Sequence, residues 1–171
     1  MKNIGFYGGG LILELGPVAD VRLFFDCISA FVSQRYPERG WHLLTDRLYR
    51  RYVTQVDLDA TEGLMKEVRK HFCALQSSSV NWSATNDSSA ITCLDQNKPT
   101  LDKIFERYFS SFHDCAISAK INYEGFKSYP GYRYQPVQVV VSDIPEFFED
   151  KSRALEDYDA LGPTDPPFWL R

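Results

Sequence analysis

The stretch Gly5-Phe-Tyr-Gly-Gly-Gly-Leu-Ile-Leu-Glu-Leu-Gly16 sets three glycines between two apolar runs, and its reading decides the fold. If the glycines cradle a phosphate, a strand must end before them and a helix must begin after them, with its positive dipole end at the anion. Here Leu11 to Leu15 is a short apolar run cut off by Gly16-Pro17, which reads as a strand. No Gly-Lys-Ser/Thr ending follows, and no second glycine stands at dinucleotide spacing. Two strands around Gly8-Gly9-Gly10 make a β-hairpin, the glycines supplying the positive φ of the turn. The chain therefore opens with antiparallel structure rather than with a nucleotide-binding βα unit.

Working outward, Val21, Phe24, Phe25, Ile28, Phe31 and Val32 form an apolar stripe that predicts a helix from about Ala19 to Tyr36, closed by Pro37 and Gly40. Trp41 to Tyr52 reads as a second, shorter helix with Arg47, Arg50 and Arg51 on its polar side. A third, capped by Asp57 or Asp59, carries Thr61, Leu64, Met65, Val68, Phe72 and Leu75 at helical spacing, with Lys66, Arg69 and Lys70 outward. From Gln76 to Pro99 the composition turns to Ser, Asn, Thr and Asp, a long connection with Val80, Trp82, Ile91 and Leu94 as apolar anchors and a short strand expected near Trp82. Pro99 and Thr100 then open a fourth helix on Leu101, Ile104, Phe105, Tyr108, Phe109 and Phe112.

After His113 the period changes. Cys115, Ile117, Ala119, Ile121 and Tyr123 alternate with Ala116, Ser118, Lys120 and Asn122, predicting a strand with one buried face. A turn-rich loop from Gly125 to Tyr134, with Pro130-Gly131, leads to a strand on Val137, Val139, Val140 and Val141, with Pro136 placing its start at a sheet edge or outside the ladder. A short helix follows from Ile144 to Arg153 with Pro145 in its first turn, and then a proline-rich tail from Gly162 to Leu170 that is not helical. The expected architecture is one α+β domain spanning 1–171. Its antiparallel sheet includes an N-terminal hairpin and a C-terminal strand pair, packed against about four helices.

The 171 residues fit one domain with a real core. No run approaches the ~18 apolar residues of a membrane helix, and the N-terminus lacks the basic and apolar regions of a leader, so a cytoplasmic location without membrane contact is expected. Cys27, Cys73, Cys93 and Cys115 are scattered and read as reduced thiols. The net charge is −4, and residues 143–171 hold eight acidic side chains against three basic ones. The rest is nearly balanced, which argues against direct nucleic-acid binding.

The pairs His71-Phe72-Cys73 and His113-Asp114-Cys115 together offer two nitrogens and two sulfurs for zinc, but on a helix residues i and i+2 point about 200° apart, and the spacing is wrong for a structural site. A nucleophilic Cys115 with His42 or His113 has no local signature. The C-terminal carboxylates lack calcium-loop spacing. No catalytic residue, metal or cofactor is expected. What remains is a binding surface in the acidic C-terminal segment 143–171, where charge alternates with Phe147, Phe148 and Tyr158. Its candidate partner-binding residues are Asp143, Glu146, Glu149, Asp150, Glu156, Asp157 and Asp159, with Phe168 and Trp169 as aromatic anchors. A surface of solvated carboxylates, with the aromatics packing the tail on the sheet, is the plainer alternative.

Several pieces of the first half, in order, carry a resemblance: Ile4-Gly-Phe-Tyr7, Leu13-Glu-Leu-Gly16, Leu23-Phe-Phe-Asp-Cys-Ile-Ser-Ala-Phe31, Glu38-Arg-Gly-Trp41, Leu48-Tyr49, Glu67-Val-Arg-Lys-His-Phe72 and Trp82. The pattern resembles bacterial immunity proteins, the small cytosolic partners of polymorphic and contact-dependent growth-inhibition toxins. The resemblance implies a non-enzymatic protein that binds one cognate toxin domain, often a nuclease with a basic cleft, and blocks its active site or its access to substrate. It assigns no residue a role and leaves oligomeric state open. The alternatives are a small enzyme using Cys/His chemistry and a regulatory binding protein. An enzyme would place His42, His71 or His113 in a cleft beside a carboxylate or thiol, whereas an inhibitor would show an exposed acidic and aromatic face.

Overall fold

The computed structural model describes residues 2–82 and 92–171. Strands β1 (Asn3–Gly8) and β2 (Leu11–Pro17) pair antiparallel, with Phe6 opposite Leu13 and Gly8 opposite Leu11. The two-residue turn is Gly9 and Gly10, at φ 58° and 87°, the pair of positive values that a tight hairpin requires. A shift of register between Ile4 and Gly5 bulges β2 near its end.

The glycines serve packing as well as turning. A Cβ on Gly9 would lie 2.2 Å from the Ser118 carbonyl oxygen, and one on Gly8 would lie 2.5 Å from that of Cys115. The hairpin thus rests directly on the backbone of a helix, and only residues without side chains allow that approach.

That helix corrects the strand expected over Cys115 to Tyr123. The segment belongs to the 21-residue helix Glu106–Phe126, preceded by a short helical piece, Leu101–Ile104, from which Phe105 separates it. Bounded within the described residues, the α-helices in chain order are α1 (Val18–Ile28), α2 (Leu58–Cys73), α3 (Leu101–Ile104), α4 (Glu106–Phe126), α5 (Glu146–Ser152) and α6 (Leu155–Asp159). The buried face of α4 is Tyr108, Phe109, Phe112, Cys115, Ala116 and Ala119, a stripe of helical period, while Ile117 and Ile121 are exposed. The alternation of Ile117, Ala119 and Ile121 in the sequence therefore joins residues from opposite sides of the helix.

Without that strand there is no C-terminal strand pair. Instead β3 (Gln138–Val141) pairs antiparallel with β1, Ile4 opposite Val141 and Phe6 opposite Val139, giving a sheet of order β2-β1-β3 with β3 at its edge and Pro136 outside the ladder. The fold is α+β, as expected, with β1 of the N-terminal hairpin at the centre of its sheet and β2 at the other edge.

One face of the sheet enters the main core. Phe6 meets Phe112 of α4 edge-on at 5.7 Å. Phe24 of α1 touches Phe72 of α2 and the rings of Phe105, Tyr108 and Phe109 at 4.8–6.3 Å. Aromatic burial on this scale dominates the stability of such a core. The opposite face carries Tyr7 and Val140, covered by Phe147 of α5.

Smaller expectations also shift. The helix from Ala19 loosens after Ile28 into a π-helical turn, Ser29–Ser33, and the Trp41–Tyr52 helix is largely the π-helical turn Leu43–Leu48. Asp57 stands at the start of α2 without capping it through its side chain, and the Thr61 hydroxyl bonds back to the Asp57 carbonyl at 2.7 Å. Around Trp82 no strand is present as far as Trp82 itself, and Ile91 and the run 86–89 lie outside the described residues. The tail ends in a single 3-10 turn, Phe168–Leu170.

Candidate functional site

The nine candidate partner-binding residues separate into two groups. Asp143 accepts the main-chain N–H of Asn3 at 2.6 Å and its side-chain amide at 3.3 Å, tying the end of β3 to β1. Asp150 is only 7 % exposed, accepts the Val141 N–H at 3.2 Å and faces Arg153 at 3.6 Å. Asp159 accepts the Tyr52 hydroxyl at 2.8 and 2.9 Å and lies 3.7 Å from Arg47. Trp169 is 2 % exposed, its indole N–H donated to the Tyr49 carbonyl at 2.9 Å. Phe168 is half-buried, edge-on to Tyr158 at 5.0 Å, with the guanidinium groups of Arg153 and Arg171 over its ring. These five make contacts within the fold, although the Asp159 carboxylate also stays exposed, and the burial of Trp169 corrects the expectation that it anchors a partner.

Sequence reading missed what fastens this segment. Arg50 donates to the carbonyls of Gly162, Pro163 and Asp165 at 2.8–3.1 Å. Arg51 donates to those of Tyr158, Asp159 and Leu161 at 2.6–3.0 Å. Asp46 steadies both guanidinium groups at 2.8 and 3.3 Å. The last carbonyls of a helix have no partner within it, so Arg51 caps the end of α6 while its charge suits the negative dipole end. Lys151 lies over the Tyr7 ring at 3.9 Å, and burial pulls its ammonium down to about 8.

The other four, Glu146, Glu149, Glu156 and Asp157, are exposed. Glu146 and Glu149 lie on α5 with Phe148, an aromatic of the expected binding surface that is 63 % exposed, and near Ile144, which the sequence argument had not named and which is 70 % exposed. Their neighbour Phe147 turns inward onto Tyr7, which fixes α5 with Phe148 outward. A further exposed apolar run, Ile117, Ile121, Phe126 and Tyr129, lies along the outside of α4 and just beyond it.

The structure does not bring the two His-x-Cys pairs together. His71 stacks on Tyr36 at 4.6 Å, whereas His113 faces α2. Among the described residues no group of three or more metal-ligating side chains converges. Cys27 and Cys115 are buried free thiols pushed up to about 12 by desolvation, and Cys115 donates to the Phe6 carbonyl at 3.4 Å. Cys73 and Cys93 are exposed and free.

One histidine does meet a carboxylate in a cleft. Nδ1 of His113 lies 3.4 Å from Glu62, and the other Glu62 oxygen pairs with Lys120, which also reaches Asp59 at 2.6 Å. The cleft lies between α2 and α4 and measures about 200 Å³. Glu62, Lys66 and Arg69 on α2 and the pair Phe109 and His113 on α4 fall at helical spacing on facing surfaces, and only the packing of the two helices brings them together.

Comparison with known protein families, curated proteins and solved structures finds no match to the chain. Among the described residues no helix is long and apolar enough to cross a membrane.

Proposed function

We propose that the chain is an immunity protein that acts in the cytoplasm by occlusion rather than turnover, docking the face around α5 on a cognate toxin domain with a basic surface, such as a nuclease. The observation that carries this reading is the exposure of Ile144 and Phe148 at 70 % and 63 % beside the solvated carboxylates of Glu146 and Glu149. Apolar anchors within a charged rim are the anatomy of a protein interface, and complementary charge speeds docking. The ordered pattern of glycines, aromatics and apolar positions in the first half supports the same class.

The test is growth rescue by the protein against the toxin domain encoded beside it, together with association and dissociation rates for the purified pair. Phe148→Ala should speed dissociation by about tenfold or more, equivalent to about 1.4 kcal/mol or above. Reversing Glu146 and Glu149 to lysine should slow association and flatten its salt dependence. Unchanged rates in both folded variants, with binding lost instead on Ile121→Asp, would move the interface to the outer side of α4. Catalytic consumption of a small molecule by the free protein would remove the inhibitor reading itself.

A further inference from the structure

The α2–α4 cleft has an apolar floor and a cationic mouth. Met65, Phe109 and Phe112 line it and are all buried. Lys66, Arg69 and His113 stand at its rim. The single carboxylate among its walls, Glu62, is already engaged on both oxygens, by His113 and by Lys120. The cation at Lys66 has no ion pair among the described residues. Arg69 lies over the Phe109 ring at 5.7 Å and shares the exposed Glu106, at 3.7 Å, with Lys103. Because Nδ1 of His113 is turned to Glu62, its Nε2 points away from that carboxylate.

We infer that this cleft binds a small carboxylate with an aromatic or branched alkyl body, the apolar part on Met65, Phe109 and Phe112 and the carboxylate against Arg69 and Lys66. A cleft of about 200 Å³ is of the size that takes one ring, since an apolar cavity of about 150 Å³ already holds benzene. Arginine beside a partly desolvated aromatic floor is the arrangement that recognises a planar anion by charge-assisted hydrogen bonds. The cleft is separate from the docking face: α4 packs on the Phe6 face of the sheet and α5 on the Tyr7 face. The site therefore stands or falls independently of the proposed toxin interface.

Phenylacetate is the probe. Titrated into the full-length protein labelled at its methionine methyl groups, it should shift the Met65 signal saturably, with a midpoint below about 1 mM. Phenylacetamide, of the same shape without the charge, should bind at least about tenfold more weakly. Lys66→Gln combined with Arg69→Gln, on two rim residues, should weaken phenylacetate by about tenfold or more while circular dichroism and thermal melting stay near wild type. His113→Gln keeps a polar side chain at the mouth and should change phenylacetate affinity less than the double variant. No saturable shift up to about 10 mM, equal affinity for the amide, or undiminished binding by the folded double variant would overturn the inference.

Discussion

The hairpin on α4 and the segment 143–171 are both long-range attachments, but they are made in opposite ways. At the hairpin, two backbones meet with nothing between them: Gly8 and Gly9 lie on the carbonyls of Cys115 and Ser118, and the Ser118 hydroxyl donates to the Gly9 carbonyl at 3.2 Å. At the C-terminal segment, long side chains bridge the gap, six carbonyls being held by two arginines while Trp169 fills the hollow by Tyr49. The first joint is steric and tolerates no added atom; the second is polar and graded. A local excess of carboxylates in sequence is therefore not a surface charge of the same size, because Asp143 and Asp150 are turned to internal partners.

The sharpest break of this contrast is Gly9→Ala. The added Cβ meets the α4 backbone at 2.2 Å and the residue sits at φ 58°, so a loss of about 4 kcal/mol is expected in urea unfolding. Gly10 has φ 87° and open space around it, so Gly10→Ala should cost only about 1 kcal/mol. Equal losses at the two positions would mean that turn geometry alone matters and the close approach does not. At the other joint, Trp169→Ala should remove about 3 kcal/mol, since it empties a buried site and leaves the Tyr49 carbonyl unpaired. A Trp169→Ala protein of wild-type stability that only releases its partner faster would restore this residue as an interface anchor.

Arg51→Met keeps the stem and removes three hydrogen bonds to main-chain carbonyls. A loss of about 2 kcal/mol is expected, with amide exchange quickened between residues 155 and 165 and unaltered in the hairpin. Uniform acceleration across the molecule would show that the segment does not open as its own unit. Lys151 tests the same segment through pH. Its folded-state value of about 8 lies below the ordinary 10.5, so between those values the unfolded chain holds a proton that the folded one lacks, and stability rises with pH across that window. Below about pH 8 the burial penalty is fully present. Lys151→Met should remove that part of the slope, read as the wild-type minus variant difference in unfolding free energy from pH 7 to 10. The subtraction also cancels the opposing contribution of Cys27 and Cys115, whose raised values favour folding less as pH climbs above 9.

By itself the sequence determined those features whose cause is local. The Gly8-Gly9-Gly10 hairpin follows from turn chemistry, and α1 and α2 from apolar stripes longer than any strand. Residues 115–123 were different, because Cys, Ala and Ser are small enough to suit either period. What made them helix was the demand of Phe6 and the hairpin glycines for a smooth neighbouring backbone, over a separation of about a hundred residues. The partner of β1, the cleft between α2 and α4, and the sorting of carboxylates into internal and solvated ones rest on the same kind of contact. Only the tertiary structure decides these, since the energy of a buried pair depends on which surfaces meet and no window of neighbouring residues contains both.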